Sequence, residues 1–413
     1  MKNEFRHAVR YLLIFLFISI VSGCSKPQQT IILISIDGFR WDYPEKAKTP
    51  NLDYLIKHGV RAKRLIPCFP TKTFPNHYSI VTGLYPEHHG IIANNMYDPQ
   101  RKKYFKMSMR DAVRDPAWWG GEPIWVTVEK QGLRTAPIFW PGSETKIKGV
   151  QPTYWQAYDG SISNADRVKQ VLHWFDLPAD KRPAFMTLYF STIDDLGHKY
   201  GPEAKELVAG IAKIDSTVGL LLDGLKRKHL LSKTNILVVS DHGMAAISPD
   251  RVIYLDDYID MKNVEVIDWN PVAGLNVKTS EDKIYNRLKD ANPHLTVYRK
   301  ADMPARFHYD DNPRIPQIIA IADEGWSITS HKAAKRNHLN GGNHHFMTGG
   351  NHGFDNRLTS MGATFIASGP AFEKGLIVEP FENIQLYNLM AAVLKIKPAA
   401  NDGHFAVVKG MLR

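Results

Sequence analysis

Cysteine is nearly absent from this chain. Two occur in 413 residues, which excludes a disulfide-stapled scaffold. A chain of this length buries a large core without such links. Low-complexity tracts, heptad arrays and internal repeats are also missing, so fibrous, coiled-coil and solenoid architectures drop out. The net charge of +10 comes without a Lys/Arg run or a recognition motif, and no specific nucleic-acid partner is expected. The apolar run Tyr11–Val21 is eleven residues long, short of the roughly 20 that a spanning helix needs.

What is present is globular composition, 44% hydrophobic and 23% charged. The length allows one large α/β domain with an insertion, or two ordinary domains. Lys2, Arg6 and Arg10 precede the Tyr11–Val21 run, which makes residues 1–23 a targeting segment outside the fold. The next stretch, Val21-Ser22-Gly23-Cys24-Ser25, resembles a bacterial lipobox, which implies lipidation of Cys24 as the first residue of the mature protein. The alternative is an ordinary signal peptide with an incidental cysteine. Ser25 resembles the pattern retained at the outer membrane, on the periplasmic or cell-surface face. Residues 1–23 carry net +2, which leaves about +8 on the remainder. That balance suits anionic substrates or an anionic lipid surface, or is a diffusely basic exterior.

Strand-like and helical runs alternate, which predicts an α/β fold: a mostly parallel sheet with helices on both faces. Thr30–Ile36, Thr135–Phe139, Ala184–Phe190, Asn235–Ser240 and Ala363–Ala367 read as strands; Asn51–His58, Phe74–Gly83, Arg167–Phe175 and Glu203–Lys226 read as helices. From Ile253 onward, short runs at Leu275–Lys278, Leu295–Arg299 and Gln317–Ala322 alternate with polar, Pro-containing connections. The expected organisation is a signal peptide over 1–23, a catalytic core over 24–252 and 346–413, and a smaller α/β capping insertion over 253–345.

Two distant stretches carry the chemistry. Thr71-Lys72-Thr73-Phe74-Pro75-Asn76-His77 places a hydroxyl before a helix, and Ser240-Asp241-His242-Gly243-Met244 ends a strand with a carboxylate beside an imidazole. Asp37, Asp194, His198 and His352 complete seven candidate ligands for two metal ions: Asp37, Thr73, Asp194, His198, Asp241, His242 and His352. Asp37, Asp194 and Asp241 each follow a strand run, and ligands collect at the carboxyl ends of parallel strands. Two metals roughly 4 Å apart suit in-line displacement at phosphorus. A lone threonine before a helix is more often an N-cap, and context is what turns Thr73 into a nucleophile.

The chain resembles the nucleotide pyrophosphatase/phosphodiesterase family of the alkaline phosphatase superfamily. The resemblance rests on Ile36–Arg40, the Thr73 segment through Pro86, Asn94–Pro99, Asp194–His198, Ser240–Met244, Asn351–Asn356 and Pro380–Asn383, and runs from about Ile31 to the C-terminus. It implies an alkaline phosphatase-like fold and two Zn²⁺ ions, one held by Asp194, His198 and His352, the other by Asp37, Thr73, Asp241 and His242. It also implies a phospho-threonine on Thr73 and release of nucleoside 5′-monophosphates. Asn94 would donate to a phosphate oxygen, though adjacent Asn95 competes for that role. Phe74 and Tyr158 would sandwich the base, with core packing and surface exposure as their plainer readings.

Three further choices stay open. Asp194 has the family spacing to His198, while Asp195 is a candidate partner for a ligand imidazole. His344 and His345 could form another metal site but read as loop residues. Cys68-Phe69-Pro70-Thr71-Lys72 is a near miss to the sulfatase signature, with Lys72 where arginine belongs. The rival activities are a glycerophosphodiesterase or lysophospholipase-type lipid phosphodiesterase, a sulfatase, and a noncatalytic lipoprotein binding nucleotides or glycans.

Overall fold

Strand β1 (Thr30–Ile36) reads TIILISI, and six of its seven residues are buried. Successive side chains of a strand point to opposite faces. Ile31 and Leu33 accordingly enter one core cluster, and Ile32, Ile34 and Ile36 another. A strand buried on both sides must be covered on both sides, and helices do this. The computed structural model describes residues 29–339 and 348–413, apart from the side chains of 337–339.

Helix α1 (Pro50–Lys57) is followed by β2 (Gly59–Ala62) and α2 (Thr73–Thr82). Then come β3 (Thr135–Pro137), α3 (Asn164–Trp174), β4 (Phe185–Phe190), α4 (Thr192–Tyr200), α5 (Lys205–Arg227) and β5 (Thr234–Val239). A second group comprises β6 (Val264–Asp268), β7 (Val272–Val277), α6 (Glu281–Leu288), β8 (Leu295–Arg299) and β9 (Ile318–Ala322). The chain closes with β10 (Phe365–Ser368), β11 (Leu376–Val378) and α7 (Gln385–Leu394). The main sheet has seven strands in the order β11-β2-β10-β5-β1-β4-β3. β10 pairs antiparallel with both neighbours, and every other pairing is parallel. Residues of α2 and α7 pack on one face; residues of α1, α3 and α5 pack on the other. The mostly parallel α/β sheet expected from the sequence is what forms.

The differences have local causes. The run expected to reach Phe139 stops at Pro137, and Phe139 itself takes a left-handed φ of 57°. α3 begins three residues before Arg167 because the Ser163 hydroxyl accepts from the Asp166 N–H and caps it. Asp194 follows β4 as expected, in the first turn of α4, a helix that was not read in the sequence. Strand β2 and the edge strand β11 beside it, four and three residues long, carried too short a pattern to be read.

The strands Val264 to Ala322 form a separate antiparallel sheet, order β6-β7-β9-β8, within the segment 253–345. α6 covers it with Ile284 and Leu288. Asp268 at the end of β6 accepts from Lys72 Nζ at 2.5 Å and from Asn95 Nδ2 at 2.9 Å, tying this sheet to the residue before Thr73. Among the described residues no helix is long and apolar enough to cross a membrane.

Candidate active site

The carboxyl ends of β1, β4 and β5 meet the start of α2. Lys72 is still extended and occupies the N-cap position, so Thr73 is the first helical residue and its hydroxyl does not cap the helix. Thr73 Oγ1 instead lies 3.4 Å from Nε2 of His242. Asp37 follows β1 directly. Gly38 then turns with φ 65°, and a Cβ there would come within 3.0 Å of the Asp194 Cα. Glycine lets the two aspartates approach.

The imidazoles share one arrangement. Nδ1 of His198 contacts the Gly350 carbonyl at 3.0 Å, Nδ1 of His242 that of Gly243 at 2.9 Å, and Nδ1 of His352 that of Thr71 at 2.8 Å. A carbonyl only accepts, so each Nδ1 donates, and a neutral ring keeps its lone pair on Nε2. Those Nε2 atoms face carboxylates. His198 Nε2 is 3.4 Å and His352 Nε2 3.8 Å from Asp194, while His242 Nε2 is 3.5 Å from Asp37 and 3.0 Å from Asp241.

Asp37 Oδ1, Asp194 Oδ1 and Asp241 Oδ2 are buried without any hydrogen bond. Donor atoms of Asp194, His198 and His352 lie within 4.8 Å of one another, as do those of Asp37, Asp194 and His242, and of Asp37, His77 and Asp241. Burying unpaired carboxylate charge is costly unless a cation compensates it. Carboxylate oxygens and imidazole nitrogens are zinc-type donors, so this set fits such an ion. The electrostatics agree. Burial, then the charges of Asp241 and Asp194, push the Asp37 carboxyl well above its usual range. Burial likewise raises Asp194 to about 7. Burial opposes protonation of His242, yet Asp241, Asp37 and Asp194 outweigh it and raise the imidazole to about 10.

Asn94 Oδ1 accepts from the Phe74 N–H at 2.9 Å, which leaves the Asn94 amide nitrogen as a donor beside the helix start. Asn95 is engaged by Asp268, and this separates the two adjacent asparagines. Phe74 and Tyr158 line one cleft of about 470 Å³ together with Asp37, Thr73 and Asp194. Phe74 also packs edge-on against Phe105, and Tyr158, 41% exposed, against Phe139. Asp195 lines the same cleft; the ligand imidazoles donate to backbone carbonyls and not to it.

Several residues went unread in the sequence. His77 is fully buried, with Nδ1 2.9 Å from the Thr73 carbonyl and 3.3 Å from Asp241, and Nε2 2.7 Å from Ser35 Oγ. Its place one helical turn after Thr73 was the available signal. Tyr189 donates to Asp37 Oδ2 at 2.5 Å, and was hidden within the apolar run of β4. Arg110 and Glu144 pair within the cleft, and only tertiary structure brings them together. Cys68 is buried, its Sγ 3.2 Å from Asn383 Oδ1, and burial pushes the thiol up, away from nucleophilic use. Cys24, His344 and His345 lie outside the described residues.

A family model described as type I phosphodiesterase / nucleotide pyrophosphatase matches residues 31–355. Human ectonucleotide pyrophosphatase/phosphodiesterase family member 5 is 39% identical over 406 residues, covering 98% of this chain and 82% of that protein. The venom phosphodiesterase CdcPDE of Crotalus durissus collilineatus is 41% identical over 399 residues, 94% of this chain but 47% of that protein, so the chain spans about half of it. Among solved structures, an inactive threonine-to-alanine variant of murine ectonucleotide pyrophosphatase/phosphodiesterase 5 in complex with AMP superposes with a TM-score of 0.88 at 38% identity, covering 94% of this chain and all of the other. By motif, fold and clustered site, this chain belongs to the type I phosphodiesterase / nucleotide pyrophosphatase family of hydrolases.

Proposed function

We propose that the chain hydrolyses phosphodiester or pyrophosphate bonds of nucleotides through a phospho-threonine on Thr73 and releases a nucleoside 5′-monophosphate. The observation that carries this reading is the ring of unsatisfied carboxylate oxygens and Nε2 lone pairs around a hydroxyl at a helix start. Asp194, His198 and His352 would hold one Zn²⁺, and Asp37, Thr73, Asp241 and His242 a second. When bound, such ions supply Lewis-acid stabilisation of phosphoryl charge and favour the ionised hydroxyl.

Thr73 Oγ1 gives up its proton and forms a bond to phosphorus; the bond from phosphorus to the leaving oxygen breaks, and that oxygen takes up a proton. Water then cleaves the Thr73–phosphorus linkage, which frees the monophosphate and restores the hydroxyl. The backbone N–H of Thr73 at the start of α2 and the Asn94 amide would face the developing negative charge, the Phe74 N–H being taken up by Asn94 Oδ1. Phe74 and Tyr158 hold the base by stacking, which tolerates any base. The AMP bound to the murine relative, and the threonine replaced in its inactive form, support both points. A choline head group fits less well, because the Arg110 guanidinium already sits 6.0 Å from the Tyr158 ring centroid.

We also propose that residues 253–345 are an added unit on the core, and that Cys24 anchors the chain by lipid at the outer membrane. A turnover screen of ATP, a dinucleoside polyphosphate, glycerophosphocholine and a nitrophenyl diester tests the activity. Monophosphate release from the nucleotides is expected; preference for glycerophosphocholine over all of them would move the activity to lipids.

A further inference from the structure

The end of the main sheet opposite the site carries two adjoining clefts, of 520 Å³ and 700 Å³, that share Ser232, Thr234 and Pro370. They open at the amino ends of β1, β4 and β5, with Thr30, Ala184 and Thr234 among their walls. Their lining is cationic: Lys226, Lys374 and Arg413 in one, Arg134, Arg182 and Lys233 in the other. All six are exposed. Asp180 is the sole acidic side chain among the described lining residues, and none of the six cations forms an ion pair with a carboxylate side chain among the described residues. The lysine that is neutralised nearby, Lys228 on Asp176, lies outside both clefts.

The chain enters the fold at this same end. Gln29 lines the larger cleft, and β1 then runs from Thr30 directly to Asp37 at the site. Cys24 precedes Gln29 by five residues, so their separation cannot exceed roughly 18 Å whatever the path between them. β1 itself spans about 23 Å. A lipid on Cys24 therefore tethers the chain from its cationic end, without by itself fixing the tilt.

We propose that this basic end is a docking surface for anionic phospholipid head groups, which holds the active-site mouth pointing away from the membrane toward soluble substrates. The proposal rests on the lipid-anchor reading of Cys24. Each lysine or arginine near an anionic surface contributes attraction that decays within a Debye length. The six unpaired cations then fix the orientation of a molecule that the lipid alone would leave free to tilt.

The test uses the full, processed chain in vesicles carrying a rhodamine-labelled lipid, with one fluorophore on a new cysteine. Cys68 is buried and does not compete for label. Two positions are compared, Ser232→Cys at the basic end and Ser161→Cys beside Tyr158 at the cleft; both are exposed. On phosphatidylglycerol-containing vesicles, transfer from position 232 should exceed that from 161 severalfold, and the difference should collapse on phosphatidylcholine or in high salt. Lys226→Glu/Lys233→Glu/Lys374→Glu should abolish the difference while leaving turnover of a soluble diester unchanged. Equal transfer from both positions, or an orientation that survives the triple substitution, overturns the proposal. Mass spectrometry reports separately whether Cys24 carries acyl chains. If it does not, the proposal stands only if the chain still floats with anionic vesicles and not with zwitterionic ones.

Discussion

Thr73 would be an unremarkable helix-start residue if Lys72 did not already occupy the cap and if His242 Nε2 were not 3.4 Å from its hydroxyl. If Thr73 is the nucleophile, removing that oxygen removes the covalent route and one donor to the second ion, while Asp37, Asp241 and His242 keep theirs. Thr73→Ala should therefore keep its metal content, measured by elemental analysis, while turnover falls by several orders of magnitude. Retention of more than about a tenth of the rate would exclude the phospho-threonine. The asparagines divide in the same way. Asn94→Ala should cost about 10²–10³ in kcat, as loss of an oxyanion donor does. Asn95→Ala should cost far less, because its amide serves Asp268. Comparable losses in the two variants would return the assignment to the open choice that adjacency in the sequence leaves. Replacing Phe74 and Tyr158 together by alanine should lower kcat/KM for nucleotides by about tenfold to a hundredfold and spare a nitrophenyl diester. Equal loss on both substrates would mean the rings support the fold.

The elements themselves are held by polar contacts that periodicity does not reveal. Asp215 on α5 is 1% exposed, and its carboxylate accepts from the backbone N–H of Asn51 and Leu52, at 3.1 and 2.8 Å, and from Asn51 Nδ2. This satisfies the donors that the start of α1 leaves over and locks two helices on one face of the sheet. Asp215→Ala should destabilise by about 1–3 kcal/mol, read as a lower denaturation midpoint, with kcat unchanged. A shift in kcat without a stability loss would contradict a scaffold role. The contrast with β1 is instructive. Its run TIILISI, five of seven residues Ile or Leu, announced a central strand with the same bounds, because burial on both faces leaves little room for polar side chains. Among the candidate ligands, Asp37 and Asp241-His242 stood out for a related reason: a strand end followed by Asp or Asp-His is a short, local pattern. His77, Tyr189, Arg110 and Glu144 were not. Each matters through a partner 30 to 164 residues away, and a single sequence carries no trace of that proximity.

At the scale of the whole molecule, the site sits where five segments converge: the ends of β1, β4 with α4, and β5, the start of α2, and the Asn351–Asn356 loop. Three unsatisfied carboxylate oxygens at such a junction push those segments apart unless a cation lies between them. Metal binding and folding stability are therefore linked: an ion that binds the folded chain and not the unfolded one stabilises it in proportion to the logarithm of its concentration over its dissociation constant. Treatment with a chelator should lower the midpoint of thermal unfolding along with activity, and added Zn²⁺ should restore both. His352→Ala should weaken this response by removing one donor from the Asp194 group while Asp37, Asp241 and His242 keep theirs, so roughly half the metal should remain per chain. A chelator that abolished activity without moving the midpoint would mean that the carboxylates are compensated by protons. Asp37 and Asp194, both raised by burial, would be the carboxylates that take them.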